Sequence, residues 1–322
     1  MEDNSFIQSS DMKRFLYKVA FFFLIVVLFD VCFGFICDYL RDHALSGDIK
    51  RFNDLIMKDR HDVLVFGSSR ALYHYDSDVL EKNLNVECYN AGYGGHGIIL
   101  SYPLLRSILE RYKPRLIILE ITKECDFLEF TGDQKNSRYI STLKPWSHIP
   151  IVSEIIKSVS FTDYILVHVS SMFRYNSQII HLIGDNLLSQ KKTDKGFIPL
   201  GGNINMQEYK KISLKEKCKN DPVKVYWLQQ FANLKNKWNL NMVWVISPIF
   251  DFDSSGYEYY EFVRDIAKSY DIPFFDYYLD SSFVGHGELF NDRIHLNSRG
   301  AQIFTERFAT DLNQLKEKNN RK

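Results

Sequence analysis

The chain has 322 residues, of which 45% are hydrophobic and 25% charged, a composition typical of a globular protein with a full core. Forty basic side chains (lysine plus arginine) balance forty acidic ones, so no net positive charge favours a nucleic-acid partner, and we expect none. The five cysteines lack the spacing of a zinc site or a disulfide framework. The chain also lacks an H-E-x-x-H motif and a Walker loop, and we expect no metal and no cofactor.

The first predicted element is an apolar segment from Phe15 to Cys37, which only Lys18 and Asp30 interrupt. A membrane span needs about 20 mostly apolar residues, and this segment supplies them. No small-x-small cleavage site follows it, which favours a permanent anchor over a cleaved signal. A buried core helix is the alternative, because Asp30 is costly in lipid. Because the length and the apolar composition of the segment favour a span, we expect the lipid bilayer to be its partner.

The charges that flank the apolar segment predict its orientation. Basic residues lie on both sides of it, namely Lys13, Arg14 and Lys18 before, and Arg41, Lys50 and Arg51 after. The first group lies closer to the span, which favours an N-terminus inside the cell and a large domain outside. The segments are then predicted as a cytoplasmic N-terminus (1–14), a transmembrane anchor (15–37) and a juxtamembrane connector (38–60).

Strands and helices alternate from residue 61 onwards. The predicted strands are VLVF (63–66), Val86–Tyr89, Arg115–Ile121, Met242–Ile249 and Ile272–Tyr277. The predicted helices are a short one capped by Ser77 or Asp78, then Ile98–Tyr112, Val223–Trp238, Tyr257–Tyr270 and a last one capped by Asn297 or Ser298. This alternation predicts an α/β domain over 61–315, with a parallel sheet between two layers of helices.

The alternation breaks between about residues 126 and 220. This stretch lacks strand periodicity, so we expect a mostly helical insertion that covers the carboxyl edge of the sheet as a lid. Its basic QKKTDKG segment (190–196) is expected to be a solvated loop. Residues 316–322 are expected to form a solvated tail.

Three features meet at the carboxyl edge of the predicted sheet, where open α/β sheets place their chemistry. Ser69 follows the first strand, a glycine-rich turn (90–97) follows the second, and Asp292 and His295 precede the last helix. A serine hydroxyl becomes nucleophilic when an imidazole takes its proton, and the imidazole needs a carboxylate to fix its tautomer. Backbone amides of a glycine turn can stabilise an oxyanion. The three features together predict a catalytic triad.

These motifs resemble the SGNH (GDSL) hydrolase superfamily over residues 62–125 and 222–315. Gly67-Ser68-Ser69 is similar to the first block with Ser69 as nucleophile, and D-x-x-H matches Asp292 and His295. Asn90 with Gly95, and less well with Gly94, is similar to the second block. The resemblance implies a three-layer SGNH-like fold, oxyanion donors at Ser69 and Gly95, and a substrate-binding position at Asn90.

Serine at position 68, where the family usually has aspartate, resembles membrane-anchored cell-envelope members. The resemblance thus implies a serine esterase or O-acyltransferase that acts on an envelope carbohydrate or acylated polymer through an acyl-serine. A membrane acyl-donor protein would be a partner. Arg70, next to the serine, is expected either to bind an anionic substrate or to pair with a nearby acid.

One departure leaves other functions open. The third block of the family carries an asparagine, but here the third strand leads into Thr122, which puts the full oxyanion hole in doubt. A catalytically silent scaffold of an envelope polysaccharide complex is therefore one alternative. Another is a cytoplasm-facing domain of the same fold that acts on lipid or thioester substrates. Nucleotide binding is a third, because 92–97 fits G-x-G-x-x-G and Glu120 is an acid at the distance expected for ribose.

Overall fold

The computed structural model describes residues 9–129, 137–187, 195–205, 218–251 and 254–320. These residues divide into two compact units, the first within 1–50 and 141–189 and the second within 51–140 and 190–322.

The α-helices, in chain order, are α1 (Ser9–Asp42), α2 (Gly47–Met57), α3 (Ser69–His74), α4 (Ser77–Leu84), α5 (Ile98–Leu109), α6 (Lys123–Asp126), α7 (Ser137–Ser141), α8 (Pro150–Val159), α9 (Phe161–Val169), α10 (Ser171–Tyr175), α11 (Ile179–Leu187), α12 (Pro222–Trp238), α13 (Ser254–Ser269) and α14 (Ser298–Asn320). Short 3₁₀ helices lie at Lys144–Trp146 and Gly287–Leu289. The strands are β1 (Val63–Phe66), β2 (Cys88–Asn90), β3 (Leu116–Glu120), β4 (Met242–Ile246) and β5 (Phe274–Asp276).

The second unit is built on a five-stranded sheet in the order β2-β1-β3-β4-β5, and every neighbouring pair is parallel. The residues of β1, β2, β3 and β4 are all buried. Continuous apolar runs of this kind suit a sheet covered on both faces. The predicted α/β class with a parallel sheet is confirmed.

Alternate residues of the strands face two different helical layers. On one face, Val65 and its neighbours pack against α14 in one cluster with Phe304 and Phe308. On the other face, the ring of Phe66 meets Phe231 of α12 with centroids 6.1 Å apart. This two-sided burial holds the carboxyl ends of β1 and β3 in fixed positions, and only Gly67 and Ser68 separate β1 from α3.

Several element bounds differ from the sequence prediction. Asp76, and not Ser77 or Asp78, caps α4, since its carboxylate accepts the amides of Asp78 and Val79 at 3.0 and 3.3 Å. The last helix does follow Asn297, whose Oδ1 accepts the amide of Gly300 at 3.0 Å. It continues to Asn320, where a tail was expected, because its last described residues include the good helix formers Lys and Glu.

The insertion expected over 126–220 is divided between the two units. Residues 141–189, which contain α8, α9, α10 and α11, group with the N-terminal residues and not with the sheet. The described residues 195–205 and 218–220 belong to the unit that contains the sheet. Within the basic loop, residues 190–194 lie outside the described residues.

In the first unit, α1 is an apolar helix against which α10 and α11 pack. Within the described residues, α1 is the one helix long and apolar enough to cross a membrane, with a mean hydropathy of 2.8. Only 6% of its most apolar window is buried. An apolar surface so little covered by protein suits a lipid environment.

Candidate active site

Ser69, His295 and Asp292 form one hydrogen-bonded chain. His295 Nε2 lies 2.8 Å from Ser69 Oγ, and His295 Nδ1 lies 2.8 Å from Asp292 Oδ2. An ionised carboxylate can only accept hydrogen bonds, so Nδ1 carries the proton and Nε2 is left to accept the serine hydroxyl. In serine hydrolases, a histidine in this arrangement takes the proton of the attacking serine.

The surroundings of Asp292 keep its carboxyl ionised. Burial alone would raise its pKa, but hydrogen bonds from His295 and from the amides of Ile294 and His295 outweigh burial and lower the pKa. The carboxylate remains half exposed, and Ser69 is only partly buried. A substrate can therefore reach the serine from solvent.

A sharp turn between β1 and α3 presents Ser69. Gly67 has φ +140°, and a Cβ there would lie 2.6 Å from the carbonyl oxygen of Glu120. Only glycine fits both the backbone conformation and this close approach. Ser69 is then the first residue of α3, at the carboxyl edge of the sheet.

The loop that carries Asp292 and His295 is closed by its own hydrogen bonds. The amide of Asn291 donates to the carbonyl of His295 at 2.9 Å, and Phe290 and Leu296 form an antiparallel bridge. Asn297 then caps α14 and also donates through Nδ2 to the carbonyl of Glu288 at 2.9 Å. Asp292 and His295 are thus held in a loop that this bridge closes and that the cap of α14 follows directly.

A buried polar network behind Ser69, Asp292 and His295 was missed in the sequence. His74 Nε2 accepts the amide of Leu296 at 3.0 Å, and His74 Nδ1 lies 2.7 Å from Ser247 Oγ. Ser247 Oγ in turn donates to Glu120 Oε1 at 2.8 Å. The network therefore joins the end of β3 to the residue that follows His295. A glutamate at the end of an apolar strand was the sequence signal for it, since such a charge needs a buried partner.

Arg70 is the partner of that glutamate. Its guanidinium lies 3.2 Å from Glu120 Oε1, with 3% of Arg70 and none of Glu120 exposed. Of the two roles expected for Arg70, the structure therefore supports pairing with a nearby acid and not binding of an anionic substrate. Glu120 is equally removed from solvent, so it does not offer its carboxylate to a nucleotide ribose. Nothing in this geometry favours the nucleotide alternative.

Asn90 holds the glycine turn from inside. Its Nδ2 donates to the carbonyls of Ala71 and Tyr75 at 2.7 and 2.9 Å, and its Oδ1 accepts the amide of Gly92 at 2.9 Å. Because Asn90 is fully buried, it positions the turn and does not face a substrate.

The turn itself passes close to α3. Gly95 has φ +71° and is partly exposed, as an oxyanion donor must be. Tyr73 stands between this turn and the histidine, since its hydroxyl lies 3.9 Å from the position that a Cβ of Gly94 would occupy. Its ring meets His295 edge to face with centroids 5.3 Å apart.

Thr122 occupies the place of the missing asparagine beside the serine turn. Its hydroxyl lies 2.7 Å from Ser68 Oγ, and both residues are buried. The structure therefore shows a threonine–serine pair at this position, one residue from Ser69.

Residues 195–205 run along the edge of the site and form part of the second unit. The carbonyl of Lys195 accepts the amide of Asn90, and the amide of Ile198 donates to the carbonyl of Leu72. Further along, Gly202 accepts Asn297 Nδ2 at 3.0 Å. This segment thus connects the glycine turn, α3 and the histidine loop. These residues border the site, and the mostly helical lid expected over it stays a prediction.

No protein-family model and no curated protein matches the chain. Among solved structures, it is similar to an acetyl xylan esterase, with 12% identity, a TM-score of 0.39, and coverage of 77% of this chain and 98% of the esterase. It is also similar to a Desulfitobacterium hafniense protein named as lipolytic and of the G-D-S-L family, with 10% identity, a TM-score of 0.39, and the same coverage of 77% and 98%. A Bacteroides fragilis protein named as an acylhydrolase matches with 10% identity, a TM-score of 0.38, and coverage of 82% and 97%.

Proposed function

We propose that this protein is a serine esterase or O-acyltransferase. The observation that carries the proposal is the continuous chain from Ser69 Oγ through His295 to Asp292, with 2.8 Å at each step. A histidine within hydrogen-bond reach of a partly exposed serine, oriented by a carboxylate, is what acyl transfer through serine requires.

In the proposed reaction, Ser69 Oγ attacks the carbonyl carbon of an ester while its proton passes to His295 Nε2. The tetrahedral intermediate collapses, the C–O bond to the leaving alcohol breaks, and the alcohol takes the proton from Nε2. Water or a sugar hydroxyl then attacks the acyl-serine and gives its proton to Nε2. That proton returns to Ser69 Oγ as the acid or the new ester leaves. Asp292 stabilises the imidazolium throughout.

The oxyanion of both intermediates would accept hydrogen bonds from the amides of Ser69 and Gly95. Support comes from the partly exposed glycine turn and from Tyr73, which lies close to both that turn and His295. A single such donor is worth about 2.7–4 kcal/mol of transition-state stabilisation in other serine enzymes.

We further propose an envelope carbohydrate or acylated polymer as substrate, on the outer side of the membrane. The apolar helix α1 supports membrane attachment, and the open, half-exposed site supports a polymer over a small buried ligand. A membrane acyl-donor protein remains part of the transferase version of this proposal.

The test is labelling of the full chain in detergent with a fluorophosphonate probe, beside Ser69→Ala and Ser68→Ala variants. We expect the wild type to be labelled and Ser69→Ala to be unlabelled. Ser68→Ala is the matched control, because Ser68 hydrogen-bonds to Thr122 and not to His295. It should keep most of its labelling.

A folded wild type that resists the probe would contradict the proposal and favour the silent-scaffold alternative. Labelling that persists in Ser69→Ala would place the reactive nucleophile elsewhere. If labelling is specific to Ser69, release of acetate from acetylated glycans, with and without an added sugar acceptor, distinguishes hydrolysis from transfer.

A further inference from the structure

The helices of the insertion join the N-terminal helix at the depth of its apolar segment. Asp30 of α1 accepts Ser170 Oγ at 2.8 Å, the amide of Ser171 at 2.7 Å and the amide of Met172 at 2.9 Å. These donors include the first amides of α10, so Asp30 caps that helix. A carboxylate within an apolar segment is costly in lipid, and this capping satisfies it.

Further contacts continue along α1 towards its end. A Cβ at Gly34 would lie 2.3 Å from Ser171 Oγ, so the two helices approach closely there. Tyr175 donates to Asp38, and Asn186 donates to the carbonyl of Leu40 at 3.1 Å. From Asp30 to Asp38 the axis of α1 rises about 12 Å. A cleaved signal helix would not serve as the packing partner of α10 and α11.

The length of α1 determines where the bilayer must end. Its apolar run before Asp30, from Phe15 to Phe29, rises only about 22 Å. A hydrocarbon core is about 30 Å thick, so a span that begins near Phe15 continues about five residues beyond Asp30. That stretch is where α10 lies against α1.

The outer surfaces of α9 and α11 carry apolar stripes. Phe161, Ile165 and Val169 repeat every four residues along α9, and 69% of Val169 is exposed. Ile180, Ile183 and Leu187 form a second stripe on α11, where 80% of Ile180 is exposed. Residues spaced three or four apart share one face of a helix, so each set is continuous. Large apolar side chains exposed in contiguous stripes, and not scattered singly, mark an interaction surface.

We propose that the exposed apolar stripes of α9 and α11 lie in the outer leaflet of the bilayer beside α1. These helices are about 14 Å long, too short to span, but suited to lie at the boundary of headgroups and acyl chains. The stripes adjoin the span because α10, which connects α9 to α11, is hydrogen-bonded to Asp30 of α1. This inference rests on the membrane placement of α1 and is independent of the chemistry of Ser69.

The experiment uses the full chain in vesicles of phosphatidylcholine and phosphatidylglycerol, with or without bromine on the acyl chains near the headgroup. Tryptophan is introduced as Val169→Trp or Ile180→Trp in the stripes. Phe22→Trp reports the span, and Glu154→Trp on the exposed polar side of α8 is the matched control. The wild type gives the baseline of the four native tryptophans.

We expect brominated lipid to reduce the added emission at least about twofold for Val169→Trp, Ile180→Trp and Phe22→Trp, and little for Glu154→Trp. Quenching of Phe22→Trp alone would overturn the proposal while leaving the anchor intact. A blue-shifted but unquenched Val169→Trp would also overturn it, because a protein surface or a second copy would then cover the stripe. Absence of quenching at Phe22→Trp would refute the membrane placement of α1, whatever the result of serine labelling.

Discussion

Asp292 accepts hydrogen bonds from His295 Nδ1 and from the amides of Ile294 and His295. These contacts let one carboxylate shape its own loop and fix the histidine tautomer. Its lowered pKa means that the ionised form is the one present in the folded protein near neutral pH. The proposed chemistry depends on that form.

Asp292→Asn is expected to lower kcat/KM for an acetyl ester by about 10²–10⁴-fold. The amide of asparagine can donate to Nδ1, which places the imidazole proton on Nε2, where it can no longer accept the hydroxyl of Ser69. Steady-state hydrolysis of a chromogenic acetate measures the effect. The exposed Glu288→Gln, four residues upstream, is the control and should change the rate little. Equal rates in the two variants would count against the proposed role of Asp292.

His74 makes the folded state sensitive to acid. Burial, then Arg70, then His295 lower its pKa well below the usual value, so the imidazole stays neutral inside. The unfolded chain binds a proton near pH 6.5, whereas the folded chain does not, so stability is lost as the pH falls below that value. The loss from this one group is at most about 1.4 kcal/mol per pH unit.

His74→Gln should flatten this dependence. Glutamine keeps a donor for Ser247 and an acceptor for the amide of Leu296 but has no proton to bind. The free energy of unfolding, measured by urea titration at pH 7.5, 6.5 and 5.5, should fall more in the wild type than in the variant. Other buried acids titrate in both proteins and cancel in the comparison. Parallel pH profiles would show that His74 is protonated equally in both states.

At the scale of elements, the turn from β1 into α3 decides whether Ser69 meets His295. Gly67 is the residue that permits it, because its φ of +140° and the nearby carbonyl of Glu120 leave no room for a side chain. The strand before this turn and the helix after it are both fixed by the core, so the turn cannot relax without moving one of them.

Gly67→Ala should therefore destabilise the second unit by about 1–3 kcal/mol and strongly reduce serine labelling. Chemical denaturation followed by tryptophan emission gives the first quantity. Gly201→Ala is the matched control, since a Cβ there meets nothing within 4 Å. A Gly67→Ala protein as stable and as reactive as the control would show that the turn tolerates a side chain.

At the scale of the whole molecule, the proposed membrane span of α1 would set, by its direction, the compartment that the site faces. Basic residues lie closer to its first apolar residues than to its last ones, which favours a cytoplasmic N-terminus. In a bacterial host, a C-terminal alkaline phosphatase fusion should then be active and a β-galactosidase fusion inactive. The reverse pattern would favour the cytoplasm-facing alternative, with lipid or thioester substrates.

The α/β class and the five strands could be predicted from the sequence, and the structure confirms them. The roles of Ser69, Asp292 and His295 were predicted from the same local motifs and stay a proposal, although the structure places the three side chains within hydrogen-bond reach of one another. Local signals suffice there, because buried parallel strands are continuous apolar runs and a triad reuses short motifs at strand ends. The long apolar helix α1 could also be predicted from the sequence, since the hydropathy of a segment depends on its composition alone.

Which polar side chains are internal became clear from the packed fold. Arg70, Asn90 and Glu120 lie beside motif residues in sequence, yet all three point into the core, where partners from other elements satisfy them. Likewise, the insertion separates into a part that packs on α1 and a part that borders the site, although nothing in its local pattern marks the division. Contacts between residues far apart in the chain set these outcomes, and no short stretch of sequence encodes them.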